Sequence, residues 1–129
     1  VILADTSAWI EYLRATGSAS DRRMIEIVGT PTLRTTDPIV MEVLAGALPH
    51  ELDDLRIGLL QPEPVPVLVG DWEGAAEIFR TCRSEGATPR KLFDCLIAAV
   101  AIRADLELLH HDRDFEAIAR HTPLQLVDL

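Results

Sequence analysis

Val1-Ile2-Leu3-Ala4-Asp5-Thr6-Ser7-Ala8-Trp9-Ile10 places an apolar run, a carboxylate and a helix-prone segment in immediate succession. Val1 to Ala4 reads as a buried first strand. Thr6 or Ser7 is the expected cap of the helix that follows, with Trp9, Ile10 and Leu13 on one face and Glu11 and Arg14 on another. Asp5 then stands at the carboxyl end of a strand, the edge at which open α/β sheets bind ligands. An Asp at such a turn is equally well read as a helix cap.

Further along, the same alternation continues and sets the fold class. A second amphipathic helix is expected over Ser20 to Val28, a strand over Thr32 to Thr36, and a helix from the Asp37-Pro38 pair through Ala45, ended by Gly46 and Pro49. Glu51 to Leu60 reads as another helix. The Pro-rich Gln61 to Pro66 leads into an expected strand at Val67 to Val69, followed by a helix over Asp71 to Ser84 with Gly86 as its stop. Leu92 to Arg103 is apolar on nearly every face and predicts a central, buried helix. A strand at Glu107 to His110, a helix at Phe115 to Arg120 and a last strand at Leu124 to Val127 complete the series. Strands alternating with helices predict an α/β fold with a central, mostly parallel sheet flanked by helices in three layers.

Bulk properties narrow the function. A chain of 129 residues fits a single domain, 1–129. It can bury roughly 65 to 70% of its unfolded surface, so it needs neither disulfides nor a metal to fold. Cys82 and Cys95 lie in helical segments and belong to no Cys/His cluster, which predicts reduced, buried thiols. No run of about 18 apolar residues occurs, and Asp5 interrupts the first apolar stretch, so a cytoplasmic protein without membrane association is expected. The net charge of −9 argues against holding nucleic acid on a broad basic surface. Two bound Mg²⁺ ions would change −9 to −5, with the compensation falling where a phosphate must sit.

Carboxylates recur in settings that need a partner. Asp112 follows the strand ending at His110 as Asp5 follows the first, and Asp114 comes two residues later. Glu42 interrupts Ile39, Val40, Met41, Val43 and Leu44, where a buried carboxylate would need a cation and a helix edge facing water would not. Asp94 lies in the first turn of the most apolar helix, in Leu92-Phe93-Asp94-Cys95-Leu96-Ile97-Ala98-Ala99. The helix dipole offers an anion there about 0.3 to 1 kcal/mol, too little to hold it among apolar neighbours. Acidic residues arriving from separate elements suit Mg²⁺ or Mn²⁺, hard ions that take carboxylate and water oxygens. Two such ions about 3.5 to 4 Å apart can activate a water and steady the leaving oxygen in attack on a phosphodiester.

The strings Ala4-Asp5-Thr6-Ser7-Ala8-Trp9-Ile10, Glu42 in its apolar helix, Asp94-Cys95-Leu96-Ile97-Ala98-Ala99 and His111-Asp112-Arg113-Asp114-Phe115 together resemble the successive signatures of PIN domains. More narrowly they resemble the VapC toxins of toxin–antitoxin pairs. The resemblance runs from Asp5 to Phe115 in the family's order and spacing. It implies a PIN-like fold, Mg²⁺- or Mn²⁺-dependent endonucleolytic cleavage of RNA such as tRNA or rRNA, a homodimer, and inhibition by a cognate VapB-like antitoxin. Asp5, Glu42, Asp94 and Asp112 match the family's acidic positions and are the expected catalytic set. Asp5, Asp94, Asp112 and Asp114 are the expected metal ligands.

Other residues carry weaker readings. His110 and His111 invite zinc, but adjacent strand residues point to opposite faces and no His-rich partner exists. Arg22 with Arg23 and Arg80 with Arg83 read as solvated helix faces, whereas Arg90 and Lys91, just before Asp94, are placed to meet RNA phosphates. Trp9, Tyr12, Trp72, Phe79 and Phe93 are too dispersed for a base-stacking platform. A receiver or phosphatase reading fails on Ser7, which stands where a second Asp is wanted, and on Lys91 being the only lysine. A catalytically silent binding module is a further alternative, against which the complete acidic set argues.

Overall fold

The computed structural model describes Val1–Leu129. Its elements are β1 (Ile2–Ala4), α1 (Thr6–Leu13), α2 (Ala19–Ile27), β2 (Leu33–Thr35), α3 (Asp37–Ala45), α4 (Leu52–Leu59), β3 (Glu63–Pro64), α5 (Val69–Ser84), α6 (Leu92–Arg103), β4 (Glu107–Leu109) and α7 (Arg113–His121). The strands form one sheet in the order β3-β2-β1-β4, every neighbour parallel. The chain therefore steps outward from β1 through β2 to β3, then returns across the sheet to β4 on the other side of β1. That reversal opens a crevice at the carboxyl ends of β1 and β4, the place where such sheets bind ligands.

β1 is central because all three of its residues are buried, as both-face burial in a parallel sheet requires. Helix–helix packing falls into two sets that flank the sheet: α1 with α2 and α3, α3 with α4; and α5 with α6 and α7, α6 with α7. The expected three-layer α/β arrangement is the one observed. α6 is the central buried helix: every residue from Asp94 to Ala101 is buried. Gly74 lies where α5 faces α6, and a Cβ there would meet that of Ala99 at 3.5 Å, an ordinary van der Waals contact. Gly86, at φ +76°, supplies the left-handed turn that ends α5.

Several local expectations need correction. α1 is capped by Asp5, whose carboxylate accepts from the Ser7 N–H, and not by Thr6 or Ser7. Leu13, expected on the buried face of α1, is 48% exposed. The Asp37-Pro38 pair lies inside α3 with Thr36 as its N-cap. The strand expected at Val67 to Val69 forms instead at Glu63–Pro64, next to the Val65 N–H that donates to the Thr35 carbonyl at 2.7 Å. Pro64 is tolerated because β3 is an edge strand. Val69 begins α5 because the Asp71 carboxylate accepts the Leu68 N–H at 2.8 Å and starts the helix two residues early. The last strand shrinks to one parallel bridge, Leu108 with Leu126, at the outer edge of β4. No helix is long and apolar enough to cross a membrane.

Candidate metal centre

Asp5 leaves the end of β1 with its N–H bonded to the Leu109 carbonyl at 2.9 Å, so the backbone itself ties the mouth of β1 to that of β4. Its carboxylate is buried. One oxygen, Oδ2, accepts the Ser7 N–H at 3.0 Å and the Ser7 hydroxyl at 2.6 Å, while Oδ1 is buried without a partner. Burial pushes the Asp5 carboxyl above its ordinary range despite the Ser7 hydrogen bonds, and the nearby Glu42 adds to the rise.

Asp94 occupies the first turn of α6, at 3% exposure, with Oδ2 buried and unbonded. Its pKa rises to about 7, first through burial and then through repulsion from Asp5, Asp112 and Glu42, with Lys91 opposing. A helix N-terminus favours the anion by up to about 2 kcal/mol in partly buried geometry, about one and a half pKa units. Burial and like charge therefore win over the dipole. This carboxylate lacks a counter-charge at its buried oxygen.

Asp112 caps α7, its Oδ1 accepting the Asp114 N–H at 3.0 Å, which turns both side chains toward the same crevice. Oxygens of Asp94, Asp112 and Asp114 all lie within 4.8 Å of one another. Such a set of hard oxygen donors, from carboxylates that include Asp94 with its unbonded Oδ2, fits a divalent cation of the Mg²⁺ or Mn²⁺ kind. Asp5 and Glu42 stand outside that trio but within electrostatic reach of Asp94. Glu42 is half-buried on α3, where the neighbouring Met41 is 62% exposed. The helix thus has an open edge, and Glu42 sits beside it rather than in the core.

Arg90, expected at RNA phosphate, is engaged with the acidic residues: Nε donates to Asp114 Oδ2 at 2.8 Å and Nη2 to Asp112 Oδ1 at 3.1 Å. Lys91 is exposed at the N-cap of α6. His110 and His111 are not among the clustered groups. His110 packs on Phe115, its Nδ1 accepting the Asp112 N–H at 3.0 Å, and burial lowers its pKa. His111 reaches Glu11 at 3.4 Å.

The sequence offers Ser7 as a possible cap but not as a site residue, yet it links the two halves of the site. Its hydroxyl donates to Asp5 and accepts the His111 N–H at 2.9 Å. The signal was the Asp-x-Ser spacing, which brings a hydroxyl back onto the preceding carboxylate. Ser20 likewise donates to the His110 carbonyl at 2.7 Å and anchors the β4–α7 loop. No local pattern marks it, because the contact spans most of the chain.

An open parallel sheet that gathers carboxylates at its carboxyl edge, two of them with a buried unbonded oxygen, defines an α/β protein with an acidic site able to accept a cation. The chain belongs to the PIN domain family, whose model matches residues 2–121, and within it to the VapC branch. Ribonuclease VapC11 of Mycobacterium tuberculosis is 42% identical over 131 residues, spanning 97% of this chain and 96% of that protein. Among solved structures, the fold is shared with DNA-bound VapBC from Salmonella typhimurium (TM-score 0.77, 19% identity, 98% of this chain and 96% of that one). It is also shared with VapC20 of Mycobacterium tuberculosis, described as a sarcin–ricin loop cleaving toxin (TM-score 0.69, 18% identity, 97% and 99%).

Proposed function

We propose that this chain is the toxin of a toxin–antitoxin pair, a divalent-cation-dependent endoribonuclease acting in the cytoplasm on tRNA or rRNA. The observation that carries the reading is the convergence of Asp94, Asp112 and Asp114 oxygens within 4.8 Å beside a buried, unbonded Asp94 oxygen. The 42% identity to a protein named as a ribonuclease supports the substrate class.

Asp94, Asp112 and Asp114 hold the cation, with Asp5 completing the set from the β1 side. When bound, Mg²⁺ or Mn²⁺ supplies a Lewis acid that activates water and offsets charge on the phosphodiester. Glu42 acts from α3 as the carboxylate left to orient a water and take up its proton. Ser7 fixes the rotamer of Asp5 and the height of the β4–α7 loop at once. Arg90 and Lys91 meet the flanking phosphates. The inhibitor is a VapB-like antitoxin, a partner class supported by the VapBC complex that shares the fold. It lays an apolar helix on the helical surface and sends a basic segment to the carboxylates. Exposed Met41 on α3, Ile57 on α4 with Leu60 at its C-cap, and Val69 and Trp72 on α5, offer the apolar surface for this and for a homodimer.

Incubating the purified chain with defined tRNAs and rRNA fragments tests the reading. Discrete fragments with Mg²⁺ or Mn²⁺, and none with EDTA, are expected. Cleavage that persists in EDTA would reject the cation-dependent mechanism.

A further inference from the structure

Arg90 holds the same carboxylates that the cation needs, and its geometry has consequences for both ligands. The guanidinium splits its fork, Nε to Asp114 and Nη2 to Asp112, instead of pairing with one carboxylate. These are two of the three residues whose oxygens converge. An arginine cannot yield its place by losing a proton, because it stays charged at any accessible pH. A cation drawing on Asp112 and Asp114 would compete with the guanidinium for the same two carboxylates and meet a like charge beside them. Repulsion then favours a guanidinium that moves away.

The side chain is free to do so. It is 62% exposed, and the Asp112 and Asp114 carboxylates are its only hydrogen-bond partners. Its neighbour Pro89 is buried, so the backbone is held while the long arm swings. Beside a bound cation, the nearest anion of matching fork geometry is a phosphate of the substrate.

We propose that Arg90 is a positioning residue that alternates between two anions: it neutralises Asp112 and Asp114 when the cation is absent, and turns to an RNA phosphate when the cation takes them. This rests on the cation-dependent ribonuclease reading. Cation and RNA then bind with positive coupling through one side chain, because each favours the arrangement the other uses, and the coupling is reciprocal.

The test compares Arg90→Gln with Arg113→Gln, which removes the same charge from an exposed neighbour that makes no ion pair. Mn²⁺ affinity is measured without RNA, by electron paramagnetic resonance of the free ion, alongside thermal melts in EDTA and the KM for RNA cleavage. Arg90→Gln is expected to bind Mn²⁺ about three- to tenfold more tightly than the wild type, the size expected for removing two competing surface ion pairs. Arg113→Gln should tighten it much less. The KM of Arg90→Gln should rise while Mn²⁺ affinity improves, a split that a merely structural role would not give. Equal Mn²⁺ affinity in the two variants, or weaker binding in Arg90→Gln, would overturn the proposal while leaving the cation reading intact. An unchanged KM would overturn the phosphate half. A wild type that binds no Mn²⁺ would overturn this proposal and the cation reading together.

Discussion

Asp94 shows how a single residue proposed for the site can be costly to the fold. Its carboxyl keeps a proton up to a pH of about 7 in the folded chain, through burial first and then through Asp5, Asp112 and Glu42, whereas the ordinary value is 3.8. Between those pH values the folded state binds more protons than the unfolded one, so stability falls as pH rises. Without metal, stability should therefore fall steadily from pH 4 to 7. Chemical denaturation in EDTA across that range checks the sign. Asp94→Asn should flatten the slope and raise the melting temperature at neutral pH, and a variant that unfolds instead would make Asp94 a structural residue. Asp5, Asp94 and Asp112 were legible in the sequence because a carboxylate at a strand end or in an apolar helix stands out against its neighbours. The Arg90 pairing was not, since only the fold brings it to Asp112 and Asp114.

Among the elements, α5 and α6 carry the clearest energetic statement. Asp71 near the start of α5 is buried at 3% exposure, and the single Nε–H of Arg103 at the end of α6 is shared between its two carboxylate oxygens, while Arg103 Nη2 donates to the Pro66 carbonyl. Burial alone would raise the Asp71 carboxyl, but the hydrogen bonds from Arg103 and Leu68 outweigh it and the pKa is lowered. Arg103→Met leaves that carboxylate buried without its counter-ion and should cost about 3 kcal/mol at neutral pH. The stabilisation belongs to the ionised carboxylate, so it is present above pH 3.8 and lost as pH falls through the lowered folded value. Denaturant titration at pH 7 and in acid measures both. α6 itself was readable end to end, since few helices are apolar all round. The β3 position was not: Val67 to Val69 has the better strand composition, yet Asp71 captures Leu68 for α5 and the edge of β2 pairs with Glu63 and Pro64. Tertiary pairing decided against local propensity there.

For the molecule as a whole, the charge of −9 and the acidic crevice set the terms of association. An acidic cleft repels RNA until a cation arrives, and it attracts a basic inhibitor by the same field. Affinity for a VapB-like antitoxin should therefore fall with added salt, and Asp94→Asn and Asp112→Asn should each weaken it in EDTA, as read by titration calorimetry with that antitoxin. Unchanged affinity in both variants would place the inhibitor's basic segment away from the site. The parallel sheet order was not legible beyond its class, because alternation of strands and helices is compatible with several orders. It is the β3-β2-β1-β4 order that brings Asp5 and Asp112 to one crevice. The proposed hydrolysis of RNA in this crevice depends on a cation held by its carboxylates. It is tested most directly by time courses of RNA cleavage for wild type, Asp5→Asn and Asp94→Asn at matched fold content, each with Mn²⁺ and with EDTA. The expected result is cleavage by the wild type with Mn²⁺ alone and at least a hundredfold loss in both variants, on the order of a missing electrostatic catalytic group. Equal cleavage by the folded variants, or by the wild type in EDTA, would contradict it.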